Sequence, residues 1–89
     1  MSVIFKYRIP GLGSGPIEMP KGAKVLFVRE QDNVPCVWAR VDPSAEIQKR
    51  WFLAAETGNT HIPDGVAYLG TAMLDGGAYV LHIFESFPD

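Results

Sequence analysis

The sequence predicts an all-β, mainly antiparallel domain, a compact small β-sandwich or barrel of six or seven strands. Three observations carry that expectation. Apolar and polar residues alternate with a period of two in several stretches, first at Val3, Phe5, Tyr7 and Ile9 against Lys6 and Arg8. Nine glycines and seven prolines in 89 residues cut the chain into segments of strand length. Asp75-Gly76-Gly77 joins two alternating stretches with the chemistry of a tight hairpin, where positive φ angles are needed. A content of 47% hydrophobic and 20% charged residues is globular rather than disordered, and the length allows one domain, residues 1–89.

Along the chain, residues 2–9 read as a half-buried strand, closed by the turn-forming stretch Pro10-Gly-Leu-Gly-Ser-Gly-Pro16. Ile17–Met19 reads as a short edge strand, and Pro20-Lys21-Gly22 as the next turn. Residues 23–31 form a second long strand, Gln31-Asp32-Asn33 a turn, and residues 34–41 its hairpin partner. That partner places Val37, Ala39 and Val41 on one face and Cys36, Trp38 and Arg40 on the other.

Residues 43–55 read two ways. Asp42-Pro43-Ser44-Ala45-Glu46 has the N-cap, first-turn proline and early acid of a helix, which leaves open one short helix near 43–50. Ile47, Lys49, Trp51, Leu53 and Ala55 alternate equally well as a strand. Residues 57–65 then form a polar loop, and residues 66–74 and 78–87 the clearest hairpin in the chain.

Composition excludes several function classes. One cysteine, Cys36, allows neither an intramolecular disulfide nor a thiolate zinc cluster. The first ten residues lack the apolar core of a signal peptide, and no apolar run approaches the ~20 residues of a membrane span. A cytoplasmic chain without a membrane partner is the expectation. Net charge −2 and pI 5.6 argue against binding duplex nucleic acid. Local basic spots at Lys6 and Arg8, Lys21 and Lys24, and Lys49 and Arg50 read most plainly as solvated faces.

Several stretches together resemble a known family. They are Pro35-Cys-Val-Trp-Ala-Arg-Val-Asp-Pro43; Phe52 with Thr57-Gly58 and His61-Ile62-Pro63; and Tyr68-Leu-Gly-Thr71 with Gly76-Gly77, Val80 and His82-Ile-Phe-Glu85. Ile4-Phe-Lys-Tyr7 and Pro20-Lys-Gly-Ala23 add to them. The chain resembles an uncharacterised family of very short phage and prophage proteins. That resemblance implies a phage accessory protein in the host cytoplasm and no particular reaction. It favours a strand before Thr57-Gly58, although Leu53-Ala54-Ala55 replaces the β-branched residues usual there.

No catalytic constellation stands out, and no cofactor is expected. His82 lies three residues before Glu85, so in a strand the two point to opposite faces and form no local acid–base pair. His61 sits in the polar loop, without metal-ligand spacing around it. Cys36 has no activating neighbour in sequence and reads as a packing residue. The cluster Gly11 to Gly15 lacks the Gly-Lys-Ser/Thr ending and following helix of a phosphate loop.

Trp38 beside Arg40, and Trp51 beside Lys49, each pair a stacking surface with a cation on one strand face. With His61 and His82 they form the candidate ligand-binding set, though an aromatic core with cations at its rim explains the same pattern. The expected function is a homo-oligomeric protein that sequesters a small anionic ligand, a cyclic or other nucleotide-type defence signal. The alternative is a protein–protein module that inhibits a host protein or serves a phage complex. A small hydrolase ranks last.

Overall fold

The computed structural model describes residues 1–87; the last two residues of the expected domain, 88 and 89, lie outside them. Seven strands run in order: β1 (Val3–Arg8), β2 (Gly13–Pro20), β3 (Lys24–Gln31), β4 (Val34–Val41), β5 (Ile47–Glu56), β6 (Ala67–Leu74) and β7 (Tyr79–Ser86). A single 3-10 turn, Asp75–Gly77, joins the last two. Every pairing is antiparallel, in a three-stranded sheet of order β1-β4-β3 and a four-stranded sheet of order β2-β5-β7-β6. The fold is a small β-sandwich. No helix of the described residues is long and apolar enough to cross a membrane.

Alternation builds the core. Val28, Val37, Ala39 and Val41 project from the three-stranded sheet onto Met19, Phe52, Ala54, Leu74, Leu81 and Ile83 of the other. Burying each large apolar side chain contributes about 1.5–3 kcal/mol. The sheets approach most closely along β3 and β6. There Gly70 is required, because a Cβ built on it would lie 2.7 Å from the Val28 Cβ.

Residues 43–55 follow the strand reading rather than the helix, and one other segment departs from the sequence reading. The helix start at Asp42 becomes a turn: the Asp42 carboxylate accepts from the Ser44 amide at 3.0 Å, and the Ala45 amide donates to the Asp42 carbonyl at 3.0 Å. These are the hydrogen bonds of a helix start, but Ile47 then enters β5, which pairs with β7 and buries Phe52 and Ala54 against the three-stranded sheet, a tertiary gain that local propensity does not supply. Gly13 to Pro16, the second half of the stretch expected as a turn, belong to β2, whose eight residues pair with β5 from Gly13 to Pro20. β2 is an edge strand, where the missing amides of Pro16 and Pro20 are tolerated. The C-terminal strand β7 is interior, so it offers no free edge to a partner.

Candidate functional site

The register of the three-stranded sheet assembles an outer face from three rows of three residues. Ile4, Arg40 and Lys24 form the first row; Lys6, Trp38 and Phe27 the second; Arg8, Cys36 and Arg29 the third. Five of the chain's eight cations therefore share one face. All five are exposed, and none is ion-paired among the described residues, whose two salt bridges are Lys21–Glu46 and Arg50–Glu85. Arg40 and Lys24 stand directly across from each other, a like-charge pair that destabilises a sheet unless an anion lies over it.

At the centre, Phe27 is 53% exposed and meets the half-buried Trp38 with ring centroids 5.9 Å apart and planes inclined by 50°. A hollow of about 440 Å³ opens beside the two rings, lined also by Arg29 and Gln31 and, at the β3–β4 turn, by Glu30 and Asp32. The Glu30 carboxylate accepts from the Asn33 amide at 3.3 Å, which occupies it within the turn. Lys6 donates to Gln31 along a diagonal that crosses β4 at Cys36. The thiol, 1% exposed although it belongs to this face, lies beneath these side chains.

A bulge creates the grouping. Simple alternation along β3 would put Lys24 opposite in facing to Phe27 and Arg29. The register shift between Val25 and Phe27 leaves Leu26 as the extra residue and brings Lys24, Phe27 and Arg29 to one side.

The other expected site residues lie elsewhere. Lys49 and Trp51 belong to the outer face of the four-stranded sheet, on the opposite side of the sandwich from Trp38 and Arg40. That second face is largely apolar: Leu53, Phe84 and Tyr68 form one row, and Val80 and Met73 another. Tyr68 is 60% and Met73 59% exposed, and Tyr68 meets Phe84 edge to face at 5.6 Å. Its charged row, Glu18 with Lys49, stands at one end.

His82 lies in the same face, bridged through Nε2 to the Thr57 hydroxyl at 2.7 Å and through Nδ1 to the Thr71 hydroxyl at 3.1 Å; Thr71 in turn bonds the Tyr68 hydroxyl. Hydroxyls satisfy both ring nitrogens, so the imidazole is a structural tie between β7, β6 and the end of β5. His61 stays in its loop, with Nδ1 3.3 Å from the Thr60 hydroxyl. Among the described residues, no group of His, Cys, Asp and Glu side chains could hold a metal ion.

Arg50, expected as a solvated cation beside Lys49, points inward. Its Nε and Nη2 donate to Glu85 at 2.7 and 2.8 Å, and its Nη1 donates to the Ala23 carbonyl. The hydrogen bonds and charge of Glu85 raise the guanidinium pKa further. This pair joins β5 and β7 to the chain entering β3, so it ties the two sheets together rather than binding a ligand.

A model of one family, a domain of unknown function (DUF7352), matches residues 1–89, and the chain belongs to that family. No curated protein and no solved structure matches it.

Proposed function

We propose that this protein is a binding protein for a nucleotide-type anion, held on the outer face of the β1-β4-β3 sheet and not turned over. The observation that carries the reading is the juxtaposition on one face of the Trp38–Phe27 pair with five cations that are not ion-paired among the described residues. Guanidinium and ammonium groups meet phosphate, and exposed ring faces meet a base. The resemblance to short phage and prophage proteins supplies the setting: an accessory protein that sequesters a nucleotide-type defence signal in the host cytoplasm.

Trp38 reports its own site. In a Trp51→Phe background it is the sole tryptophan, and titration with ATP, cyclic dinucleotides and cyclic ADP-ribose isomers is expected to change its emission. Arg40→Ala should weaken that response. Unchanged emission up to millimolar concentrations of all of them would sink the reading for these small ligands.

The outer face of the four-stranded sheet supports a second reading, a protein–protein contact, because Leu53, Phe84 and Tyr68 form one apolar row and Val80 and Met73 a second, on either side of the row of Ala55, His82 and Thr71. A stoichiometric host protein recovered from lysate and lost in Tyr68→Glu would favour it. Recovery unchanged by that substitution would count against this face.

A further inference from the structure

We infer that the ligand of the cationic face is an extended single strand of nucleic acid, bound along the sheet with bases on Trp38 and Phe27. The inference rests on the part of the nucleotide-binding reading in which the cations take phosphate and the rings take a base, and it puts a polymer in place of the small signal.

Shape argues first. Sites for small ligands are concave and bury most of the molecule. This face is an open sheet, and the hollow beside its rings is open to solvent. Adjacent strands lie about 4.8 Å apart and same-face residues along a strand about 6.7 Å apart, so the three rows cover roughly 10 by 13 Å. One phosphate cannot reach cations spread over that area.

Placement argues second. The aromatic pair occupies the middle row, with Arg40 and Lys24 in the row to one side and Arg8 and Arg29 in the row to the other. Bases over the rings therefore have cations both before and after them, which suits a chain with phosphates on both sides of each base. The row spacing is comparable with the distance between successive phosphates of an extended strand. A duplex hides its base faces within the stack and leaves the rings unused. Aromatic platforms inside a cationic track are how single strands are bound without sequence preference.

The test is fluorescence anisotropy with labelled oligothymidylates of two to twelve nucleotides, competed by thymidine monophosphate, a cyclic dinucleotide and a duplex. Affinity should climb with length and level off near about four nucleotides or a little more. The slope of log K against log salt should lie between about −2 and −3.5, from about −0.7 per phosphate neutralised by up to five cations. Trp38→Ala should weaken binding roughly 5- to 100-fold, the loss of one stacked base. Arg40→Ala, at an exposed position, should flatten the salt slope by about 0.7. Trp51→Phe, on the opposite face, should leave binding unchanged.

Equal or tighter binding of the mononucleotide, the cyclic dinucleotide or the duplex overturns the inference and leaves the nucleotide-binding reading standing. Absence of binding to every one of these probes overturns both.

Discussion

The Asp42 carboxylate accepts hydrogen bonds from the Ser44 amide and, at 2.7 Å, from the Ser44 hydroxyl, and these hold its pKa below the ordinary carboxylate value. The folded protein therefore releases this proton more readily than the unfolded chain. The stability it contributes is present above the unfolded pKa of about 3.9 and is lost as pH falls through the lower folded value. Asp42→Asn is expected to lower the plateau at pH 7 and to flatten the acid limb of a stability–pH curve below about pH 4, so that the two proteins converge in acid. An unchanged acid limb would show that the turn does not hold the carboxylate ionised.

Arg50 and Glu85 act at the same scale with a larger effect, since their side chains are 16% and 9% exposed. Glu85→Gln leaves the guanidinium without its counter-charge. The expected loss is about 2–4 kcal/mol in urea unfolding, somewhat below that of a fully buried pair. Neither role is legible in the residues themselves. Asp-Pro-Ser-Ala-Glu is good helix-start chemistry, and its hydrogen bonds do form. The conformation of the next ten residues is decided instead by Phe52 reaching a core whose facing wall is the three-stranded sheet, and by pairing with β7, about thirty residues further along the chain. Likewise Lys49-Arg50 reads as a basic spot until the strand parity, fixed by Phe52 and Ala54, turns Arg50 inward.

Strands and turns are far more legible than their contacts. The alternation of β1, β4 and β7 is plain, as are the Asp75-Gly76-Gly77 turn and its positive φ values of 50°, 64° and 97°. The link between that turn and the β3–β4 turn is not. Asn33 donates through Nδ2 to the Asp75 carboxylate and accepts from the Asp75 amide, both at 2.7 Å, across 42 residues of sequence. No local pattern encodes such a clamp, because it exists only once β3 lies against β6. Gly70 is hidden for the same reason, as a strand glycine whose meaning is the Val28 side chain above it. Gly70→Ala is expected to cost about 1–3 kcal/mol by forcing β3 and β6 apart. Val28→Gly removes the colliding Cβ together with both methyls, so Gly70→Ala should cost less in a Val28→Gly background than in the wild type. An equal cost in the two backgrounds would place the strain elsewhere.

At the scale of the whole molecule, averages hide the feature that matters most. Ten acids and eight cations give net charge −2, and pI 5.6 speaks against a duplex nucleic-acid partner. Yet five of those cations occupy one sheet face, so the remainder of the molecule carries about −7, from three cations against ten acids. The pairing β1-β4-β3 and the β3 bulge make that segregation, and neither is set by composition. It also bears on self-association. Two cationic faces repel each other, whereas the apolar outer face of the four-stranded sheet carries its charge only at the Glu18–Lys49 end.

Two copies joined through Tyr68, Phe84 and Met73 would turn their cationic faces outward, as far apart as the sandwich allows, and leave both open to ligand. Sedimentation velocity at tens of micromolar is expected to show a dimer that Tyr68→Glu and Met73→Glu together convert to monomer. Both side chains are exposed, so the substitutions should leave the urea midpoint nearly unchanged. Nucleotide binding per chain should survive in the monomer, because the cationic face is complete within one copy. A wild-type monomer at that concentration would free the apolar face for a different protein, and loss of nucleotide binding in the monomer would mean that the ligand site spans two chains.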